Sequence, residues 1–298
     1  MFYAVAPFRS PIKGVFSRTQ VMSSALAPVV ERVVTIEELL MPIHQLIGLH
    51  EVKALVEELY AFYMISEWRK SYQLRAEIPM YHMIFHGPPG TGKTTVARLL
   101  GDVFLKLGML SNGHVFEVER ADLVGEYIGH TAQKTRSAIE KAKGGILFID
   151  EAYALARGGD NDFGREAIDT LVKGMEEFKR ELVVILAGYQ MEMMYFLSLN
   201  PGLSSRFPVQ IEFPPFRENE LIELAMQMAK DRDYKFSPDG LQALRSRLRV
   251  QMHAIDFGNG RAVRNLLEKA IRKQARRIIH ENLFDRERLI TLKALDFN

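Results

Sequence analysis

Eight residues near position 90 have the spacing of a loop that binds phosphate groups. The stretch GPPGTGKT, Gly87 to Thr94, matches the pattern G-x-x-x-x-G-K-[ST] at every fixed position. It follows the apolar run YHMIFHG, a predicted strand, and opens a predicted helix, TTVARLLGDVFLKL. Loop amides and a helix N-terminus direct positive partial charge at phosphates. We therefore expect Lys93 at the β- and γ-phosphates and Thr94 on Mg²⁺; a chance glycine-rich turn would not have this strand and helix around it.

Two adjacent carboxylates end a second apolar run. The stretch GILFIDE places Asp150 and Glu151 directly after a strand-like segment. A carboxylate pair at the end of a buried strand is costly unless a cation lies near it. We expect Asp150 to hold Mg²⁺, directly or through water, and Glu151 to polarise an attacking water. The alternative is a pair of solvated residues at a strand end.

The remaining pattern predicts an α/β fold that would bring these groups together. Short apolar runs at 81–87, 114–119, 145–150, 182–188 and 209–213 alternate with four helical segments. This alternation is typical of a mostly parallel sheet covered by helices. The third and fourth runs are almost wholly apolar, as buried central strands are.

Two boundaries divide the sequence into three parts. Thr35 has the position of a helix N-cap, with Glu38 three residues on, and a further helix is predicted over about 51–72. The prolines of FPPF, 213–216, interrupt regular structure. We predict an N-terminal extension at 1–34, an α/β domain at 35–216 and a helical domain at 217–298, helical to about residue 282 and without strands.

Composition limits the classes of protein. The 298 residues are 47% hydrophobic and 26% charged with a net charge of +2 and no cysteine, which is typical of a globular protein and excludes disulfides and thiolate chemistry. No apolar run reaches the roughly 18 residues of a membrane span. The first 30 residues contain three bases and no acid, which fits either an organellar transit peptide or a poorly ordered tail.

With both motifs present, the chain resembles the AAA+ ATPases from about Leu46 to Lys293. The stretches ERADLVGEYIGHTAQKT, GGILFIDEAYALARGG, AGYQMEMMYFLSLNPGLSSRFP and GNGRAVRNLLEKAIRKQA look like the stage V sporulation protein K family, whose relatives are CbbX-type Rubisco activases. The resemblance implies a P-loop NTPase fold with a five-stranded parallel sheet, helices on both faces and a small helical lid. It also implies ATP and Mg²⁺ as ligands and a homo-hexamer formed on ATP binding.

The resemblance assigns further roles to individual residues. Ile47 and Gly48 would pack on the adenine. The phosphate-binding set would comprise Pro89, Gly90, Thr91, Gly92, Lys93, Thr94 and Thr95. Arg206 resembles the arginine finger that reaches the γ-phosphate of the neighbouring subunit.

Two positions near the nucleotide are less clear in the sequence. Arg261 matches the second sensor of the lid, and Arg264, one helical turn later, is the alternative. Many AAA+ proteins end the fourth strand with an asparagine that senses phosphate. Here Tyr189 stands in that place, so the residue that acts as first sensor stays open.

The stretch EYIG has the position of the central-pore loop of AAA+ unfoldases. In a hexameric ring, six copies of Tyr127, with Ile128 and Gly129, would line an axial channel, and the flanking glycines would let the loop move with nucleotide state. An aromatic side chain can grip an extended chain by burying apolar area. The alternative is that Tyr127 belongs to the core of its own subunit.

Three other features favour structural roles. Six bases on one predicted helix indicate a solvated or intersubunit face and make nucleic-acid binding a weaker interpretation: Arg264, Lys269, Arg272, Lys273, Arg276 and Arg277. The run MEMMYF, 191–196, is expected to pack as a helix face, with a partner surface as the alternative. The eight histidines show no ligand spacing, so we expect no metal other than Mg²⁺.

Together these observations predict a cytoplasmic ATP hydrolase that works as a hexamer on a protein partner, in sporulation. A Rubisco activase of the CbbX type is the first alternative, and gene neighbourhood would discriminate it. The second is a scaffold that binds ATP and assembles but hydrolyses little. A nucleic-acid motor is a third, disfavoured by the aromatic residue in the pore loop.

Overall fold

The computed structural model describes residues 35–76, 81–127, 129–157, 163–254, 257–282 and 284–298. The chain divides into two units, Met1–Val33 and Val34–Asn298, and every element below belongs to the second unit. The predicted N-terminal extension, 1–34, lies outside the described residues.

Five parallel strands form the central sheet. They are β1 (Met83–His86), β2 (Val115–Val118), β3 (Ile146–Ile149), β4 (Val183–Gly188) and β5 (Val209–Glu212). Their spatial order is β2-β3-β4-β1-β5, and every pair is parallel. The predicted α/β fold with a five-stranded parallel sheet is confirmed. Strands β3 and β4 are buried along their whole length, as their apolar sequences predict.

Helices cover both faces of this sheet. They are α1 (Ile36–His44), α2 (His50–Ser71), α3 (Lys93–Lys106), α4 (Arg120–Leu123), α5 (His130–Ala142), α6 (Gly164–Glu177), α7 (Gln190–Leu199) and α8 (Pro201–Ser204). The Thr35 hydroxyl accepts a hydrogen bond from the Glu38 amide at 3.3 Å, so the predicted N-cap is confirmed. The helix predicted over 51–72 is α2.

The alternation of side chains along β1 separates two cores. Met83 and Phe85 are buried in a cluster with α1, α2 and α3. Ile84 points to the other face and is buried with residues of α5, α6 and α7. This period of two is the geometry of a strand, and it places β1 between two layers of helices.

A separate apolar cluster lies in the C-terminal segment. Its elements are α9 (Glu218–Lys230), β6 (Lys235–Phe236), α10 (Pro238–Met252), α11 (Gly260–Glu281), α12 (Arg286–Ile290) and β7 (Thr291–Leu292). The expectation of a lid without strands is wrong, because β6 and β7 pair in parallel. Each has two residues, which is too short to show the alternation by which a strand is recognised in a sequence.

The basic face predicted on α11 also needs one correction. Arg277 is not solvated: its side chain is 10% exposed and forms a salt bridge with the buried Asp296. No sequence pattern indicates this pair, because Asp296 follows the short strand β7 and belongs to no periodic segment. Along the part of the chain that the structure describes, no helix combines the length and apolar character needed to cross a bilayer.

Candidate functional site

The phosphate-binding motif forms a tight loop between β1 and α3. Gly90 has a φ of +74°, and a Cβ there would lie 2.1 Å from the carbonyl oxygen of Gly258. A Cβ at Gly87 would lie 2.1 Å from the carbonyl oxygen of Phe213. Both positions therefore exclude any side chain, because the backbone of another segment occupies the space. The Thr91 hydroxyl donates to the Pro88 carbonyl at 2.9 Å and closes the loop.

Lys93, the first residue of α3, folds back over this loop. Its ammonium donates to the carbonyl oxygens of Gly87 at 2.8 Å and Pro88 at 2.9 Å. Burial lowers the pKa of Lys93, the nearby Asp150 carboxylate opposes that shift, and Arg261 adds to it. A partly buried ammonium whose partners are neutral carbonyls is suited to bind an anion, which would compensate its charge more fully.

The carboxylate pair lies where the buried strand β3 ends. The Glu151 amide donates to Oδ1 of Asp150 at 3.0 Å, and Glu151 is exposed. Glu151 has a φ of +47°, a left-handed conformation that is unfavourable for a residue with a side chain and that often occurs at functional sites. The turn thus directs two neighbouring carboxylates away from the strand.

A cavity of about 750 Å³ joins these groups. That volume is within the range of small-molecule sites. Every member of the predicted phosphate-binding set lines it: Pro89, Gly90, Thr91, Gly92, Lys93, Thr94 and Thr95. Asp150, Glu151 and Tyr189 line it as well. The structure therefore brings together residues separated by about a hundred positions in the sequence.

More apolar residues line the cavity than the two positions, Ile47 and Gly48, that the resemblance indicated for the adenine. Ile47 lines it as expected, together with Pro42, Leu46, Leu49, Phe216, Leu224 and Met228. Gly48 is not among the lining residues; a Cβ there would lie 3.3 Å from Glu220 Oε1, so it faces the lid helix α9. Apolar residues of α1, of α9 and of the segments next to these helices thus form a slot whose character suits a flat, weakly polar group. Pro42, Phe216, Leu224 and Met228 were not identified, because they are apolar residues of ordinary helices and linkers.

The N-terminal end of α11 brings two arginines to the cavity. Arg261 and Arg264 both line it, so the structure places the predicted second sensor and its alternative together. Tyr189 lies beside Tyr153, with ring centroids 6.1 Å apart. Burial, and then the Glu151 charge, raise the pKa of Tyr153 to about 12, which keeps that hydroxyl protonated.

Arg206 does not line the cavity of its own subunit. Its Nε donates to Glu176 Oε1 at 3.1 Å, and Nη1 donates to the Gly202 carbonyl at 2.6 Å. These bonds hold the guanidinium against α6 and α8. A residue that acts on a neighbouring subunit must lie outside its own site, and this position meets that requirement. The finger role stays a prediction.

Tyr127 is at the tip of an anchored turn. Its side chain is 66% exposed, which contradicts the alternative that it belongs to the core; Ile128 lies outside the described residues. The Gly125 amide donates to the Thr131 hydroxyl at 3.0 Å, and the Thr135 hydroxyl donates to the Leu123 carbonyl at 3.1 Å. Both threonines are fully buried.

These two threonines support the turn, and the sequence analysis missed them. They lie one helical turn apart on α5 and fix the start of the turn that presents Tyr127. Gly129, with a φ of +84°, ends that turn as the N-cap of α5. Two threonines four residues apart near the start of a predicted helix were the available signal.

The methionine-rich run packs only in part. Met193 and Phe196 of α7 are buried, as a helix face would be. Met191, Met194 and Tyr195 are exposed. The prediction of a packed helix is thus correct for one side of α7.

The fold and the site together define a class of protein, the AAA ATPases. Residues 83–215 match the sequence model described as "ATPase family associated with various cellular activities (AAA)", and residues 217–298 match the AAA lid domain. The chain is 51% identical to stage V sporulation protein K of Bacillus subtilis (strain 168), over 85% of this chain and 80% of that protein. The chain belongs to the AAA family, and within it to the group that contains stage V sporulation protein K.

The chain is also similar to relatives that have other names. Protein CbbX of Cereibacter sphaeroides is 44% identical over 78% of this chain and 76% of its own. The chloroplastic ribulose bisphosphate carboxylase/oxygenase activase of Cyanidioschyzon merolae (strain NIES-3377 / 10D) is 42% identical over 85% of each chain. The crystal structure of the FIGL-1 AAA domain in complex with ADP superposes with a TM-score of 0.56 at 18% identity, covering 85% of this chain and 80% of that chain. The likeness to the FIGL-1 structure supports the assignment of the fold alone.

Proposed function

We propose that this protein hydrolyses ATP in a hexameric ring and uses the energy to thread or remodel a protein partner. The cavity supports the first half of this proposal, because it joins a phosphate-binding loop, a carboxylate pair, an apolar slot and two lid arginines. Exposed Tyr127 on an anchored turn supports the second half and is the observation that carries it.

The donor set fits ATP and Mg²⁺. Lys93 would exchange its two carbonyl partners for β- and γ-phosphate oxygens, and the loop amides at the N-terminus of α3 would bind the same group. Thr94 and Asp150 supply the hydroxyl and carboxylate oxygens that Mg²⁺ prefers. The bound Mg²⁺ would neutralise charge on the phosphates during transfer.

The reaction itself would depend on groups of two subunits. Glu151 is placed after Asp150 to orient a water and accept its proton as the water attacks the γ-phosphate. Arg206 of the adjacent subunit would stabilise the charge that develops on the transferred group. Arg261 and Arg264, which line the cavity from the lid, would connect hydrolysis to the position of that lid.

Two likenesses suggest different partners. The 51% identity to a sporulation protein favours a role in spore formation, in the cytoplasm, over the 42% identity to a protein named as a ribulose bisphosphate carboxylase/oxygenase activase. A CbbX-like activase requires a red-type Rubisco in the same genome, so gene neighbourhood separates the two. A scaffold with little turnover is the remaining alternative, and the presence of Glu151 and Arg206 argues against it.

The test uses a variant that retains ATP. Glu151→Gln keeps the shape of the site and its Mg²⁺ ligands but cannot activate water, so ATP-bound rings should persist. We expect cellular proteins captured by Glu151→Gln rings to be lost from Glu151→Gln/Tyr127→Ala rings and kept by Glu151→Gln/Tyr127→Phe rings, because grip depends on the aromatic ring.

The same substitutions in the active protein separate remodelling from scaffolding. Tyr127→Ala should leave steady-state ATP hydrolysis and ring size unchanged, because Tyr127 does not line the nucleotide cavity. Equal capture by all three variants would remove the threading proposal and favour the scaffold. Hydrolysis at the wild-type rate by Glu151→Gln would show that Glu151 does not activate water.

A further inference from the structure

Asn259 is a buried polar residue in a conformation that rarely suits a side chain. It is 1% exposed and lies between Gly258 and Gly260 with a φ of +46° and a ψ of −119°. Such a backbone conformation is unfavourable for any residue other than glycine and persists only where the surroundings hold it. A glycine here would avoid the strain, so the side chain must make contacts that offset it.

The side-chain amide of Asn259 contacts two distant segments and the stretch that precedes it. Its Nδ2 donates to the Pro89 carbonyl in the phosphate-binding loop at 3.2 Å and to the Phe257 carbonyl at 3.4 Å. Its Oδ1 accepts a hydrogen bond from the Phe216 amide, in the linker between the two domains, at 3.0 Å. Both ends of one amide are therefore used, with donors and acceptor in the required positions.

The backbone around Asn259 adds a second connection to the phosphate-binding loop. The Gly260 amide donates to the Gly90 carbonyl at 3.0 Å, and the Arg261 amide donates to the Gly258 carbonyl at 2.8 Å. The absence of room for a Cβ at Gly90 shows how closely the two loops approach. Two residues after Asn259, Arg261 enters the cavity.

We propose that Asn259 is the positioning residue that couples the phosphate-binding loop to the lid. Its amide fixes the start of α11 on the loop and the linker, and thereby places the Arg261 guanidinium over the phosphates. A shift of the Pro89 carbonyl on nucleotide binding or release would be transmitted through Nδ2 to α11 and through Oδ1 to the linker. This inference rests on the proposed ATP binding and adds to it a route by which the lid senses the loop.

The experiment compares Asn259→Ala with Asn259→Gly. Both remove the amide, but only glycine also relieves the backbone strain, so the melting temperature of the glycine variant should be the higher of the two. We expect both variants to bind ATP more weakly by roughly tenfold, the size of effect produced by losing a buried hydrogen-bonded contact, measured by isothermal titration calorimetry. If the Asn259→Gly variant, with its higher melting temperature, also bound ATP more tightly than Asn259→Ala, the role of Asn259 would be purely structural and the proposal would be overturned.

A double-mutant cycle tests whether Asn259 acts through Arg261. Arg261→Ala alone should weaken ATP binding, and adding Asn259→Gly should then change the affinity less than twofold, because the residue to be positioned is gone. If each substitution instead reduced ATP affinity by its own factor, and the two factors multiplied in the double variant, Asn259 would not act through Arg261. The matched control is Asn282→Gly, the same exchange at an exposed residue with a φ of +51° at the other end of α11, which should leave ATP affinity unchanged.

Asn259→Asp distinguishes the hydrogen bond that Oδ1 accepts from Phe216 from the hydrogen bond that Nδ2 donates to Pro89. It keeps an acceptor for the Phe216 amide but sets a carboxylate oxygen against the Pro89 carbonyl. We expect a loss of ATP affinity at least as large as that of Asn259→Ala; wild-type affinity in Asn259→Asp would overturn the role of the Pro89 bond. Wild-type ATP binding that does not depend on Lys93 would overturn the proposed function itself, whereas normal binding by Asn259→Ala in a Lys93-dependent protein overturns this inference alone.

Discussion

The guanidinium of Arg206 is paired with the carboxylate of Glu176, with Nε 3.1 Å from Oε1. The Arg206 side chain is 30% exposed and that of Glu176 is 50% exposed, so the pair is accessible from solvent. An exposed pair of this kind contributes about 0–1 kcal/mol and can be exchanged for a stronger partner. A γ-phosphate of an adjacent subunit would be such a partner, and Glu176 would then be the group that holds the finger ready.

Arg206→Ala should leave each subunit able to bind ATP while hydrolysis in the assembled ring collapses. The mixing experiment is sharper, because Arg206→Ala subunits combined with Lys93→Ala subunits should recover part of the activity when an intact arginine faces an intact cavity. Steady-state phosphate release from mixed rings of verified composition measures this. No recovery in such rings would place the finger at another residue. Glu176→Gln serves as a control that alters the holding contact and retains the arginine.

Lys93→Ala should abolish ATP binding. The loop would lose the one lysine whose ammonium lies on the Gly87 and Pro88 carbonyls, and charge on the β- and γ-phosphates would stay uncompensated. Titration calorimetry with ATP and Mg²⁺ measures the effect, with Lys106→Ala, at the opposite end of α3, as the matched control. Near-normal affinity in Lys93→Ala would contradict the assignment of the cavity to ATP.

The sheet and the phosphate-binding loop could be predicted from the sequence because their signals are local. Each strand is a short apolar run, and the motif at 87–94 contains its own turn, lysine and helix start. The carboxylates 150–151 were located for the same reason, since they follow a strand with no polar residue.

Contacts between distant segments could not be predicted in this way. The Asn259 bond to Pro89 joins residues 170 positions apart, and neither residue belongs to a periodic pattern that indicates a partner. Arg206 was identified by family resemblance, but its contact with Glu176, 30 residues earlier, depends on how α6 and α8 meet. The apolar slot likewise arises from residues of α1, of α9 and of the segments next to these helices, which look like ordinary core residues in the sequence.

The lid is stabilised by a buried ion pair that a neutral substitution would break. Arg277 binds Asp296 through two parallel bonds of 2.9 Å, Nε to Oδ1 and Nη2 to Oδ2, and this hydrogen bonding raises the pKa of Arg277. Asp296→Asn removes the doubly bonded carboxylate partner of a largely buried guanidinium and leaves only the longer contact with Glu281, which costs about 3–5 kcal/mol. Urea unfolding should show a loss in that range.

A second carboxylate near Arg277 provides a control for the Arg277–Asp296 pair. Glu281 lies 3.8 Å from Arg277 Nη1 and is 36% exposed, so Glu281→Gln should cost less than about 1 kcal/mol. Equal losses from Asp296→Asn and Glu281→Gln would mean that the buried geometry does not strengthen the pair.

We expect the buried His82 to make the folded protein less stable at acidic pH. It is 1% exposed, and its Nδ1 accepts a hydrogen bond from the Val184 amide at 3.0 Å, so the proton of the neutral ring is on Nε2. Burial lowers the pKa of His82 from 6.5 to about 4, and the Glu176 charge opposes that shift only in part. Protonation of the folded state would remove the acceptor at Nδ1.

The sign of the effect follows from which state takes up the proton. Between pH 6.5 and 4 the unfolded chain binds a proton at His82 that the folded chain does not, so stability falls as pH falls through this window. One pKa unit corresponds to about 1.4 kcal/mol, which gives a loss on the order of 3 kcal/mol across the window. Above pH 6.5 both states hold the neutral ring, and the contribution is fully present.

His82→Asn isolates this contribution. The Asn side-chain oxygen can accept from the Val184 amide in place of Nδ1 but does not titrate, so the variant should lose less stability than the wild type between pH 7 and 4.5. Urea unfolding at a series of pH values measures the difference. The matched control is His50→Asn, the same exchange at a histidine on the surface. A pH dependence in His82→Asn as steep as in the wild type would show that other groups, and not the buried ring at the start of β1, account for acid sensitivity.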